Sequence, residues 1–204
     1  MEFITSREQL SDVFGATHEV ASRKVMRSLD VHCRRFISKS PFLLIGSQDG
    51  AGNADVSPKG DQPGFVEVLD DSTLAVPDRP GNNRIDTWRN IVDNPAVGVI
   101  FMIPGMNETL RVNGQGRLTT DSSLCSRMQV NGRPALAVMI VRVQEVYMHC
   151  AKAFIRSKLW SPETWPDRRE LPTLGAMLKA QAQLSETAEE FDAILDEAYA
   201  KTLW

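Results

Sequence analysis

Short apolar runs dominate the middle of the chain, and several of them alternate with polar residues at a two-residue period. Such runs predict β-strands, and residues rich in glycine, asparagine and aspartate predict the turns between them. The first four strands are close enough in sequence to form two hairpins. The predicted strands cover residues 42–47, 54–58, 65–69, 73–76, 96–103, 108–118 and 134–148.

Apolar residues recur at helical spacing before, between and after these strands. Ser6 predicts the start of a first helix that runs to about residue 15, because Gln9 is placed to complete a capping box. A mid-chain helix should end at Asn94, since the following Pro95 disfavours helical backbone in the residue before it. The remaining predicted helices, with this one, cover residues 19–38, 83–93, 121–130, 149–159, 173–184 and 185–199.

A succession of antiparallel strands that one helix interrupts favours a closed or partly closed barrel over a doubly wound parallel sheet. We therefore predict an α+β fold, a β-barrel with flanking helices. Its expected divisions are N-terminal helices over 1–40, a barrel domain over 41–160 and a C-terminal helical extension over 161–204.

The composition narrows the class of protein. With 42% hydrophobic and 24% charged residues among 204, the chain can bury a core, and its net charge of −3 gives no basic excess for nucleic acid. No apolar run approaches the ~18 residues of a membrane-spanning helix. Three widely spaced cysteines, two of them in His-Cys pairs, suggest neither a disulfide framework nor a metal site. We expect a cytoplasmic protein without nucleic-acid, membrane or metal partners.

Candidate chemistry concentrates where a predicted strand leads into the mid-chain helix. A helix start carries unpaired N–H groups and a partial positive charge, and arginine adds bidentate donors for phosphate. Ser57 and Lys59 end a second predicted strand, and we expect both segments to converge on one phosphorylated ligand. The alternative is solvated arginines and a lysine that protects an edge strand. The polar residues at the helix start are Arg79, Asn82, Asn83, Arg84 and Thr87.

A third group lies on the predicted strand 108–118. Thr109, Arg111 and Asn113 share one face of it by the two-residue period. They are placed either to hydrogen-bond a bound ligand or, for the arginine, to form a cross-strand ion pair with a residue such as Glu67.

The order of these segments resembles the FMN-binding split barrels related to pyridoxamine 5′-phosphate oxidase. The resemblance covers about residues 35–165 and implies an antiparallel, Greek-key-type split barrel. It also implies a homodimer in which each FMN lies in a cleft formed by both chains. The segments that carry the resemblance are Val56-Ser-Pro-Lys59, Asp78-Arg-Pro-Gly-Asn-Asn-Arg84, Asn90-Ile-Val-Asp-Asn-Pro95, Val97-Gly-Val-Ile-Phe101, Leu110-Arg-Val-Asn-Gly114 and the tail 149–160.

The chain departs from the oxidase proper in two places. The oxidase has an adjacent Arg-Lys pair before the helix, whereas Asp86-Thr87 falls near that position here and the cations are Arg79 and Arg84. The Arg-x-His substrate clamp is missing, and two extra helices end the chain. The resemblance therefore implies FMN binding more directly than vitamin B6 oxidation, and it suggests a divergent branch.

The resemblance implies a set of flavin contacts. Ser57, Lys59, Arg79, Asn83, Arg84 and Thr87 would hold the phosphate and ribityl chain. Arg111 would line the ring pocket together with Lys152, Arg156 and Trp160, which share one helical face. That face either closes the cleft from the second subunit or is a basic surface over a packed tryptophan.

These contacts suggest an FMN-dependent oxidoreductase that acts on a small molecule. The flavin carries the redox chemistry, so no acid–base residue is assigned. The alternative is a module that binds or stores a flavin or another cofactor without turnover.

Overall fold

The computed structural model describes residues 1–16 and 18–203. Within these residues seven strands form one antiparallel sheet, in the spatial order β2-β1-β5-β6-β7-β4-β3. The two outermost strands, β2 and β3, each pair on one side only, so the sheet is an open, split barrel rather than a closed one. The strands are β1 Phe42–Gln48, β2 Ala54–Gly60, β3 Glu67–Asp70, β4 Thr73–Pro77, β5 Ala96–Met102, β6 Thr109–Thr119 and β7 Val138–His149.

Helices flank this sheet, as predicted. The longest, α8, ends the described chain and packs against α7. The α-helices are α1 Arg7–Phe14, α2 Glu19–Arg23, α3 Val31–Lys39, α4 Asp86–Asp93, α5 Ser122–Arg127, α6 Lys152–Ser157, α7 Leu174–Ala182 and α8 Ala188–Thr202, and short 3-10 turns cover Pro162–Thr164 and Arg168–Glu170.

The predicted capping box of the first helix is confirmed, since Ser6 and Gln9 bond each other's backbone. The prediction of one helix over 19–38 is wrong. Helix α2 ends at Arg23, and Met26 then exchanges backbone hydrogen bonds with Val146 of β7 at 3.0 and 2.8 Å. A new helix then begins because Asp30 caps it by accepting from the backbone N–H of Cys33 at 2.8 Å.

Several predicted boundaries also move inward. The mid-chain helix begins at Asp86 rather than residue 83, because Asn83 and Ile85 adopt left-handed backbone angles. The last helix begins after Thr187 rather than at Ser185, since Thr187 forms a capping box with Glu190. The last strand starts at 138 rather than 134, and the helices predicted over 121–130, 149–159 and 173–184 are shorter.

The larger of two core clusters lies on one face of the sheet, beneath α3 and α4. Alternate residues of each central strand point into it, as a two-residue period requires. Phe36 and Ile37 of α3 and Trp88 and Ile91 of α4 cover it from the helices. The sheet residues of this core include Leu43, Ile45, Val99, Phe101, Leu110, Val112 and Val141.

Candidate functional site

A cavity of about 230 Å³ opens where β2 meets the loop before α4. The two segments that the sequence predicts to converge both line it. Among the predicted site residues, the cavity brings together Ser57 and Lys59 from β2 with Arg84 and Thr87 from the α4 side. Its complete lining is Asp55, Val56, Ser57, Pro58, Lys59, Asn82, Arg84, Ile85, Asp86, Thr87 and Trp88.

Lys59 is a half-buried cation held by an aromatic ring. Its Nζ lies 4.7 Å from the ring centroid of Trp88, and the indole Nε1 of Trp88 donates to Asp78 Oδ1 at 3.1 Å. Burial lowers the pKa of the Lys59 ammonium, while the charges of Asp78 and Asp55 offset part of that shift. A partly desolvated ammonium is stabilised by an anion that contacts it. The geometry therefore presents a rigid cation to the cavity.

The start of α4 faces the same cavity with a strained backbone. Asn83 and Ile85 have φ values of 57° and 53°, although neither is glycine, and isoleucine is rarely found in this left-handed region. Ile85 occupies the N-cap position and has no side-chain acceptor for the N–H groups of the first turn. Uncapped N–H groups suit an anion, and strain of this kind concentrates at binding sites.

The carboxylates around the cavity balance its cations. Arg84 Nε lies 2.8 Å from Asp86 Oδ2, and the hydroxyl of Thr87 donates to Asp55 Oδ2 at 3.5 Å. The sequence alone suggested a strongly cationic site. The cavity of one chain is not strongly cationic, because these carboxylates lie beside its cations. Because the Arg84 side chain is 74% exposed, its ion pair contributes only about 0–1 kcal/mol. An incoming phosphate can replace Asp86 on Arg84 at little cost.

Arg79 lies elsewhere, in the wall of a cavity of about 510 Å³. Its Nε lies 2.5 Å from Asp61 Oδ2, and its Nη1 donates to the carbonyls of Asp78 and Met128 at 3.1 and 3.0 Å. The Asp61 side chain is only 3% exposed. The fold itself uses the charge of Arg79, and the structure does not bring this residue to Lys59. Asn83, which is exposed, also lies outside the lining of the Lys59 cavity.

Arg111 and Asn113 lie on β6, three strands away from β2 in the sheet. The guanidinium of Arg111 lies 5.8 Å from the ring centroid of Tyr147, and Asn113 Nδ2 donates to Glu145 Oε2 at 3.1 Å. The alternative ion pair with Glu67 is wrong, because Glu67 instead binds Arg127 at 2.9 Å.

Strand register decides which side chains share a face of the sheet. Ser57 is paired with Ile45, and that row continues through Val99 and Val112 on the core side. Arg111 is paired with Ile100, in the row of Leu44 on the opposite side. Lys59 shares the side of Ser57, and Asn113 shares the side of Arg111. Within one chain, the two predicted groups therefore project from opposite faces of the sheet.

The predicted site residues Lys152, Arg156 and Trp160 lie in and just after α6, apart from both the Lys59 cavity and Arg111. Trp160 donates from Nε1 to the carbonyl of Met106 at 2.7 Å and stacks on Phe154 with ring centroids 6.0 Å apart. This contact fastens the end of α6 to the turn between β5 and β6. Lys152 and Arg156 are exposed, and neither lines the Lys59 cavity.

The comparisons with known proteins agree with this fold. A family model described as "Pyridoxamine 5'-phosphate oxidase" matches residues 29–150, more than half of the chain. The chain belongs to the pyridoxamine 5′-phosphate oxidase family. The matched region runs from the start of α3 to the end of β7 and includes the Lys59 cavity. The predicted resemblance is confirmed.

Solved structures also match the chain, at low sequence identity. A variant of the Group A Streptococcus protein HupZ has a TM-score of 0.50 at 18% identity, over 59% of this chain and 99% of its own. A Lactobacillus delbrueckii protein provisionally named a pyridoxamine 5′-phosphate oxidase has a TM-score of 0.48 at 18% identity, and the match covers 60% of this chain and 95% of its own. An FMN-binding protein from Syntrophomonas wolfei has a TM-score of 0.45 at 9% identity, and the match covers 57% of this chain and 88% of its own. No curated protein sequence matches the chain.

Two residues that line the cavity, Asp55 and Trp88, escaped the sequence analysis, and so did Asp78, which accepts from Trp88. Asp55 could have been found, because the two-residue period of β2 places it on the face of Ser57 and Lys59. Trp88 and Asp78 gave no such signal, because the tertiary packing alone brings them near Lys59.

The cysteines form no site of their own. Cys33 and Cys125 are buried, and burial raises the pKa of the Cys33 thiol to about 11, so it stays protonated at neutral pH. Over residues 1–16 and 18–203, no three His, Cys, Asp or Glu side chains cluster as a metal site requires. In the same residues no helix is both long and apolar enough to cross a bilayer.

Proposed function

We propose that the protein binds FMN and is an FMN-dependent oxidoreductase that acts on a small molecule. The observation that carries the proposal is the Lys59 cavity, where a half-buried ammonium lies beside an uncapped, strained helix start. Membership of the pyridoxamine 5′-phosphate oxidase family supports it. The phosphate of FMN would bind in this cavity.

Four side chains of the cavity and the start of α4 have a defined part in holding the phosphate. Lys59 supplies a half-buried positive charge, the hydroxyl of Ser57 supplies a donor, and the hydroxyl of Thr87 would turn from Asp55 to the phosphate. The free N–H groups of the first turn of α4 add donors that point along the helix axis. Arg84, which is exposed, exchanges Asp86 for the phosphate.

The flavin ring requires a second chain. Because Arg111 and Asn113 project from the face opposite Lys59, one chain cannot offer both groups to one flavin. A homodimer removes this conflict, since the outer face of one copy can meet the cavity of the other. Half-buried apolar residues lie on that outer face next to Arg111 and are suited to the contact, among them Leu44 and Ile100. Lys152, Arg156 and Trp160 would border the same cleft.

Bound FMN supplies the hydride and electron chemistry of the reaction. The residues of this chain bind the phosphate, fix the orientation of the ring and shield it between two subunits. Burial lowers the pKa of Lys59, the charges of Asp78 and Asp55 offset part of that shift, and a bound phosphate dianion would favour the ammonium further.

An absorption spectrum of the purified protein, recorded before and after addition of FMN, tests the proposal. We expect flavin absorbance that co-elutes with a dimer in light scattering. A protein that takes up no FMN at micromolar concentration contradicts the proposal, and a monomer contradicts the shared cleft. Tight FMN binding without reduction by any nicotinamide donor would instead identify a non-catalytic binding module.

Arg84→Ala is expected to weaken FMN binding about tenfold. A hydrogen bond to a charged group contributes about 1.5–3 kcal/mol, and the lower value applies because Arg84 is exposed to solvent. Titration of FMN fluorescence measures the effect. Arg89→Ala is the matched control, since Arg89 lies 3.9 Å from the same Asp86 but outside the cavity. Equal losses in both variants would mean that helix charge, rather than contact, is responsible.

A further inference from the structure

A further concave surface lies beside α3, apart from the Lys59 cavity and from the cavity that Arg79 lines. It is a groove of about 480 Å³ between α3 and the end of β5 with its following turn. We call it the α3 groove. It shares no lining residue with the Lys59 cavity, and its lining is His32, Arg35, Phe36, Lys39, Ile103 and Met106.

The floor of the α3 groove is apolar. Phe36 is 8% exposed and belongs to the core, and Ile103 packs against that core. The backbone carbonyls at the edge already have partners. Trp160 Nε1 donates to Met106 O, and the Ser40 hydroxyl lies 2.7 Å from the Met102 carbonyl. The Ser40 contact also ties the end of α3 to the end of β5, which holds the two walls of the groove together.

The rim of the α3 groove is basic. His32, Arg35 and Lys39 recur at positions i, i+3 and i+7 of α3 and therefore share one helical face. Among the described residues, none of the three has a carboxylate within ion-pair distance. Arg34, the next residue of the same helix, differs because it binds Asp71 at 2.5 Å. The cations Arg35 and Lys39 of the rim thus have no carboxylate partner among the described residues, whereas His32 interacts electrostatically with Asp30.

We propose that the α3 groove binds an amphiphilic carboxylate of the fatty-acid class. The uncompensated cations select the anionic head, and the apolar floor accepts the alkyl chain. The volume lies within the ~300–1,000 Å³ typical of small-ligand sites. The groove shares no residue with the Lys59 cavity and holds a different class of ligand.

Isothermal titration of the FMN-saturated full chain with monomeric dodecanoate tests the proposal. We expect saturable binding, and we expect the Arg35→Gln/Lys39→Gln variant to raise Kd at least about tenfold. Arg34→Gln is the matched control and should stay within about twofold of the parent protein. Dodecanol, which has the same chain without the charge, should bind at least about tenfold more weakly than dodecanoate. All of the replaced side chains lie at the surface, and thermal melts verify that the variants are folded.

Four results would overturn the proposal: no dodecanoate binding below its micelle concentration, equal affinity of the double variant, equal affinity for dodecanol, or binding only to vesicles of anionic lipid. Dodecanoate that binds the FMN-free protein but not the saturated one would place the ligand in the flavin cavity and refute the α3 groove. Flavin absorbance of the double variant is a separate readout. Loss of FMN uptake would count against the proposed flavin site, whereas loss of dodecanoate binding alone concerns only the groove.

Discussion

Arg79→Met is expected to lower the free energy of unfolding by about 3–5 kcal/mol, because it leaves a buried carboxylate without its counter-charge. Asp61 is 3% exposed, and Arg79 is its ion-pair partner at 2.5 Å. The carbonyls of Asp78 and Met128 lose a donor at the same time. Urea denaturation, followed by circular dichroism, measures the change.

Two variants separate this structural role from a general loss of charge. Arg127→Met removes an arginine from the same cavity, but its pair with Glu67 is half exposed and should cost about 1 kcal/mol or less. Asp61→Asn combined with Arg79→Met should recover part of the stability, because no buried charge then lacks a partner. If Arg79→Met instead kept the parent stability and lost only FMN affinity, Arg79 would be a phosphate ligand after all.

Lys59→Met is expected to raise the Kd for FMN by about ten- to a hundredfold, the equivalent of about 1.5–3 kcal/mol for a charged hydrogen bond. The effect should exceed that of Arg84→Ala because Lys59 is half-buried and less screened by solvent. Methionine keeps the unbranched side chain that packs over Trp88, so the fold should be retained. Quenching of FMN fluorescence gives the affinities.

Riboflavin, which lacks the phosphate, is the matched ligand control. Lys59→Met should leave the affinity for riboflavin within about twofold and should remove most of the advantage of FMN over riboflavin. Equal weakening of both ligands would mean that Lys59 contacts the ring or supports the cavity wall. No weakening of either would refute the assignment of the phosphate to this cavity.

Most of the secondary structure could be predicted because it depends on local periodicity and on caps. The hairpin of β1 and β2 and the capping box of Ser6 and Gln9 are examples that the structure confirms. The single helix over 19–38 failed for a non-local reason, since Met26 pairs with Val146 on a distant strand. Such a contact leaves no trace in the residues that surround Met26.

The sequence by itself determined the strands, the helix after the 78–85 loop and the shared face of Ser57 and Lys59, because the backbone repeats of strands and helices fix these relations. Only the tertiary structure decided that Arg79 neutralises Asp61, that Trp88 lies under Lys59 and that Arg111 faces away from both. These contacts join residues that are distant along the chain. They arise because burial of a charge requires a partner, and the packing of the whole fold selects which partner is near.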